Sequence, residues 1–188
     1  YGISPSVSLL PQSPHSEALA TISHRGAMNP SAERPPLFSA ISARRTNRRP
    51  FLPTPVPSVH AAALREAVRN EHSWLHVVGR QERAAMLKLV RRAHDVEMND
   101  PDFRAELQHW TGRREGEREG VPASAAGPMP EEQDEWVLRD FSGGQAPPRV
   151  AGKDFEDDPL IVVLCSHADG PVGELQAGQA MQRALLTM

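Results

Sequence analysis

The sequence predicts an α+β, or mixed α/β, chain with few strands, and three observations predict it. Apolar residues at helical spacing outnumber the alternating or continuous apolar runs that make strands. Helical and strand-like stretches alternate along the chain, with no repeat. The 18 Pro and 13 Gly gather mainly in residues 1–60 and 111–153, which predicts long irregular segments there. At 188 residues there is room for one ordinary domain and a tail. A hydrophobic fraction of 39%, with five Phe, three Trp and one Tyr, predicts a thin core.

The N-terminal stretch alternates at Ser6-Val7-Ser8-Leu9-Leu10, the pattern of an edge strand, and Leu19-Ala20-Thr21-Ile22 reads as a second short strand. Residues 26–36 read as a connector, and a compact domain begins near Leu37. Leu37 to Arg45 predicts a short helix. Pro50 to Pro57 holds several X-Pro steps and predicts extended chain. Ser58 to Asn70 predicts a helix, with Val59, Ala62, Ala63 and Ala67 on its apolar side and Leu64 at the margin. Trp74 to Val78 is β-prone. Gln81 to Glu97 has the clearest helical stripe, through Ala85, Met86, Leu89, Val90 and Ala93, with Arg80, Arg83, Arg91 and Arg92 toward water. Asp100-Pro101 is an N-cap and first-turn pair for a helix to Trp110, with Phe103, Leu107 and Trp110 on one face. Residues 111–130 lack an apolar period and read as a surface excursion or lid. A short helix from Glu131 to Phe141 and a loop from Ser142 to Asp158 follow. Leu160 to Ser166 is apolar almost throughout and predicts a strand central in its sheet. A last helix starts near Gly173, its stripe running through Leu175, Gly178, Met181 or Gln182, and Leu185, with small residues Ala177, Gly178 and Ala180 permitting close packing. The chain opens on Tyr1 and stops inside that apolar pattern at Met188, which reads as a piece of a longer protein cut at both ends.

The densest chemistry lies in Arg44-Arg45-Thr46-Asn47-Arg48-Arg49, four guanidinium groups within six residues. Guanidinium forks match phosphate oxygens and stay charged at working pH. With a net charge of -3 the cluster is a local basic spot, suited to one small phosphorylated ligand rather than a long polyanion. It also fits a solvated charge run. A nucleic-acid contact is the weakest of the three readings, because no aromatic residues interleave with the arginines. Cys165, the single cysteine, excludes an intrachain disulfide and a multi-cysteine zinc site, and reads as a buried small hydrophobe. His72 and His76 have a helical ligand spacing, but the chain changes from helix to strand between them, so a metal role is disfavoured. Gly143-Gly144-Gln145 lacks the Lys-Ser/Thr of a phosphate loop. The acidic runs Glu131-Glu132 and Asp154 to Asp158 read as solvated. No apolar run approaches the ~18–20 residues of a membrane span, and no leader is visible, so a cytoplasmic protein is the expectation.

The order of these features is informative. An apolar turn leads into Arg44-Arg45-Thr46-Asn47-Arg48, then an extended Pro segment, the helix around Ala61 to Val68 and the strand Trp74 to Val78. Much later, Asp158 to Leu164 leads to Ala177-Gly178-Gln179-Ala180-Met181-Gln182-Arg183-Ala184-Leu185-Leu186. This order resembles the FMN-dependent NAD(P)H nitroreductase family, and within it a subgroup with two nitroreductase-like halves fused in one chain. The resemblance covers residues 37–188, which would be most of the second half, and leaves 1–36 as the tail of the first half and a linker. It implies a nitroreductase-like mixed sheet flanked by helices, truncated at both ends. It implies FMN as cofactor, NADH or NADPH as electron donor, and a nitro or quinone-like small-molecule acceptor. The family's Arg-Arg-Ser-x-Arg motif, which binds the FMN phosphate and ribityl chain, maps onto Arg44, Arg45, Thr46 and Arg48, with Thr in place of Ser. Phe51 sits one residue later than the family's usual aromatic. Simpler members carry a Pro-Ser-x-x-Asn segment that contacts the flavin after the first helix. Here Val68 to Ser73 runs straight into Trp74, so that loop is shortened or absent, which favours an alternative reading as a non-catalytic FMN-binding protein. The resemblance also implies that the missing half, or a second copy, completes the flavin site.

Overall fold

The computed structural model describes residues 2–10, 18–29, 34–49, 54–131, 134, 136, 139–146, 149 and 159–188. Within them the chain is α+β, with four strands and five α-helices. It sorts into two compact units: residues 1–45, 56–77 and 162–188 form the first, and 46–55 and 78–161 the second.

In the first unit, strands β1 (Ile3–Leu9) and β2 (Ala20–Ala27) make an antiparallel ribbon with Val7 opposite Ile22. Strand pleating puts Ile3, Pro5 and Val7 on the same face as Ile22, and all four are exposed. Helix α1 (Arg34–Ala43) begins inside the expected connector. Helix α2 (Ser58–Arg69) buries Leu64, Ala67 and Val68, an i, i+3, i+4 set. Val59, expected inside, is 66% exposed. The alanines of this helix fit either face, so they carry no phase; the two large side chains, Leu64 and Val68, decide which side turns in. Strands β3 (Ser73–Val77) and β4 (Val162–Ser166) pair antiparallel, with Trp74 opposite Cys165. Among the described residues β4 pairs with β3 alone, not on both edges as a central strand would.

Helix α5 (Gly170–Thr187) packs on α2 and β4. Gly173 and Ala180 are buried, with Ala177 and Ala184 half-buried on the same side. The expected stripe points the other way: Met181 is 56% exposed, and Gly178 and Leu185 are exposed too. The small residues turn inward because they let two backbones approach. A Cβ on Gly173 would lie 2.0 Å from the Ala168 carbonyl oxygen. The outer side of α5 borders a groove reached by Leu10, Leu19, Leu37 and Leu186, beside an ion pair between Arg183 and Glu71 at 3.0 Å.

In the second unit, helix α3 (Arg80–Asn99) starts where the Glu82 carboxylate accepts the Gly79 N–H at 2.7 Å. Its inner side holds Met86, Leu87 and Val90 together with Arg83, His94 and Glu97, all half-buried, while Leu89 is 63% exposed. The expected stripe is thus rotated. Arg83, expected in water, donates to the Pro159 carbonyl at 3.0 Å. Asp100 caps α4 (Pro101–Trp110) by accepting the Asp102 and Phe103 N–H groups at 2.9 and 3.4 Å. The expected helix over 131–141 is not formed at its described positions. Instead Asp134, 4% exposed, is paired with Arg149. Residues 50–53 of the expected extended segment Pro50 to Pro57, Phe51 among them, and the run 154–158 lie outside the described residues.

Candidate functional site

After α1 the chain leaves the helix at Arg44 and runs without regular structure through Arg49. Arg44, Arg45 and Thr46 are exposed. The Arg45 guanidinium folds back on the first unit, donating to the carbonyls of Ser42 and Arg44, both at 2.8 Å. Thr46, Asn47, Arg48 and Arg49 belong to the second unit. There Asn47 forms a local turn, its Oδ1 accepting the Arg49 N–H at 3.0 Å and its Nδ2 donating to the Arg49 carbonyl at 3.3 Å.

Arg48 is the arginine of this segment that the fold buries in part. Its backbone carbonyl presses on Gly127, whose φ is +80°; a Cβ there would sit 2.1 Å from that oxygen, so the contact requires glycine. Its guanidinium lies 4.9 Å from the centre of the Phe141 ring, a cation–π contact. Burial pulls its pKa down from the ordinary arginine value, because a desolvated cation is disfavoured.

Arg48, Asn47 and Arg49 line a half-open cavity of about 490 Å³ within the second unit, with His94, Trp136 and Phe141 also in its wall. That volume lies in the range of roughly 300–1,000 Å³ usual for small-molecule sites. Arg44, Arg45 and Thr46 do not line it. His94, which sequence reasoning passed over because it has no ligand-spaced partner, has a buried Nδ1 with no hydrogen-bond partner among the described residues. Glu97, at the same wall, is paired with Arg139, whose guanidinium lies 5.2 Å from the Phe103 ring centre.

The floor near Phe141 is built by hydrogen bonds rather than regular structure. Burial tends to raise the Asp140 carboxyl, but bonds from the Ser142 hydroxyl, the Ser142 N–H and the Gly144 N–H, at 2.5, 2.7 and 2.6 Å, hold it below the usual carboxylate range. The Gln145 N–H goes to the Ser142 hydroxyl at 3.0 Å. The amides around Gly143-Gly144 are therefore already used by the protein, and they do not form a phosphate cradle. The 111–130 excursion is folded back on itself, with Val121 N–H to Trp110 carbonyl at 2.7 Å and Arg113 N–H to Val121 carbonyl at 3.0 Å. His72 stands in the turn after α2, with φ of +55°, and His76 in β3. No group of His, Cys, Asp or Glu among the described residues could hold a metal ion. Cys165 is half-buried. No described helix is long and apolar enough to cross a membrane.

No family model matches the chain. It is similar to two curated proteins of Mycobacterium tuberculosis (strain ATCC 25618 / H37Rv). Over 180 residues, 96% of this chain and 52% of the relative, it is 26% identical to "Uncharacterized protein Rv3127". Over 152 residues, 80% of this chain and 43% of the relative, it is 31% identical to "Putative NAD(P)H nitroreductase Rv3131". The chain spans about half the length of these relatives.

Proposed function

We propose that the chain is part of an FMN-binding oxidoreductase of the NAD(P)H nitroreductase type. The similarity over 152 residues to a protein bearing that name carries the reading. Residues 37–188 would form most of one nitroreductase-like domain, with its mixed sheet flanked by helices, and 1–36 the end of a preceding half. Arg44, Arg45, Thr46 and Arg48 would hold the FMN phosphate and ribityl chain. The residues fit such a group: the Arg48 guanidinium is partly desolvated, and among the described residues it has an aromatic ring but no hydrogen bond or ion pair. A phosphate supplies the missing acceptors. Bound FMN supplies hydride transfer from NADH or NADPH to a nitro or quinone-like small-molecule acceptor, while these side chains bind and orient it. The other half of the protein, or a second copy, completes the site. The setting is cytoplasmic, without nucleic-acid or membrane partners.

One observation favours a second reading, in which FMN is held without turnover under the 111–130 segment. Only Asn70, Glu71 and His72 separate α2 from β3, leaving no room for a flavin-contacting loop at that place.

Titrating FMN into the full-length protein tests the first reading through quenching of flavin fluorescence. Saturable binding is expected, weakened by about tenfold or more in Arg44→Ala with Arg48→Ala, since each charge-assisted contact contributes about 1.5–3 kcal/mol. Absence of binding would overturn it. Rapid bleaching of the bound flavin by NADPH or NADH would exclude the second reading, whereas a flavin that stays oxidised would support it.

A further inference from the structure

Helix α5 carries a core-like stripe on its open side. Leu175, Gly178, Met181 and Leu185 recur every three or four residues, the spacing of a seam between packed helices. Yet Gly178, Met181 and Leu185 are exposed, and Leu175 is only half-buried. The opposite side of the helix is the one that packs on α2 and β4, through Gly173 and Ala180. Gly178 points the same way from a different direction. It lies in the middle of α5, where glycine weakens a helix relative to alanine, and a Cβ built on it would meet nothing within 4 Å. No contact among the described residues asks for glycine there, whereas a second backbone approaching closely would. Beside this row runs the groove lined by Leu10, Leu19, Leu37, Leu175 and Leu186. An apolar row bordering an apolar groove marks a place where another protein surface docks.

We propose that this face of α5 and its groove are covered by an apolar helix from the part of the full-length protein that lies outside these 188 residues. The chain spans about half the length of its curated relatives, so the relatives carry about as much chain again. A covering segment joined to the same chain acts at an effective concentration in the millimolar range, which a separate molecule does not reach, and this favours it over a second copy. The groove selects an apolar helix face over a charged segment. Its pair of opposite charges, Glu71 and Arg183, is matched within the chain at 3.0 Å, and the leucines are what it offers a partner. Glu174, Gln179 and Gln182, all exposed, supply the polar margin that such interfaces carry. The proposal rests on the reading of this chain as part of a longer protein, and not on flavin binding.

Photo-crosslinking of the full-length protein tests it, with p-benzoylphenylalanine in place of Met181 and the joined peptides mapped by mass spectrometry. The expected crosslink runs from position 181 to a residue outside these 188. Crosslinks confined to the 188 residues, within one chain or between two copies, would overturn the proposal, and so would the absence of any crosslink. Gly178→Leu in the full-length protein gives a second measurement that does not depend on the probe. Leucine is the better helix former, so on an open face the thermal midpoint holds or rises; under a docked helix it falls, by about 5 °C or more. A midpoint that holds or rises overturns the proposal. The FMN titration separates this proposal from the flavin reading. A protein that binds FMN but gives no such crosslink keeps the flavin reading and loses this one, and a crosslinked protein that binds no FMN does the reverse.

Discussion

Asp134 shows how much a single side chain organises where the chain has no regular structure. Its carboxylate accepts the Glu131 N–H at 2.8 Å and pairs with Arg149, which also donates to the Met129 carbonyl. The hydrogen bond from Arg149 is the main cause that holds its pKa below the usual carboxylate value, against a smaller opposing effect of burial. A carboxyl depressed in the folded state binds fewer protons there than when unfolded, so its stabilisation is complete above about pH 4 and is lost as pH falls through the folded pKa. Urea unfolding of Asp134→Asn at a series of pH values should show a loss of about 3 kcal/mol at pH 7 and a shallower decline below about pH 4 than the parent protein. Asp140 contributes in the same acid window, so the variant retains part of the slope. None of this was legible in the sequence. Asp134 sits two residues past the Glu131-Glu132 run that looks solvated, and its partner lies fifteen residues away. The Arg44–Arg49 cluster was legible as charge, but not its division: the backbone contact at Gly127 and the Phe141 ring distinguish Arg48 from its exposed neighbours.

At the scale of elements, the five helices of the described residues could be placed from the sequence, and the inner face of α4 with Phe103 and Leu107, but not the inner faces of α2, α3 and α5. Caps and prolines mark ends locally, as at Asp100-Pro101, and the structure follows them. Which face turns inward depends on partners far along the chain. In α2 Val59, Ala62, Ala63 and Ala67 were expected inside; of these Ala67 is buried, together with Leu64 and Val68, while the other three are exposed. In α3 the inner side accepts Arg83, His94 and Glu97 because each meets a cavity or a loop rather than an apolar layer. In α5 close approach selects Gly173 and Ala180 over the larger apolar residues. Paired truncations check these assignments by chemical denaturation. Leu64→Ala should cost about 2–5 kcal/mol, the range for emptying a packed site, whereas Leu89→Ala on α3 should change stability by less than about 0.5 kcal/mol. The expected helix over 131–141 failed for a related reason: the Arg149 contacts satisfy Asp134 and the Met129 carbonyl in an irregular backbone, and an apolar pattern of that length carries no sign of it.

For the whole molecule, the α+β class followed from composition and alternation, while the pairing of strands did not, since β3 and β4 are separated by eighty-four residues of other structure. The two units also differ in how they are held. The first has a small buried set from α2 and α5, plus a ribbon whose apolar face is open; the second relies on side-chain-to-backbone bonds across loops. A two-stranded ribbon is marginal by itself. Hydrogen exchange should therefore find the amides of β1 and β2 the least protected of the strands, and those around Val68 in α2 among the slowest. Equal protection of ribbon and α2 would contradict this ordering. The guanidinium tethers of the second unit carry a further consequence. Arg83 and Arg91 donate to the neutral carbonyls of Pro159 and Asp134, at 3.0 Å each. A contact between a charge and a short-range dipole is scarcely touched by mobile ions, unlike the attraction of two exposed charges, which fades beyond a Debye length of about 8 Å at physiological ionic strength. Added salt should thus weaken exposed pairs such as Arg69–Glu66 more than these two loop anchorages, from Arg83 to Pro159 and from Arg91 to Asp134.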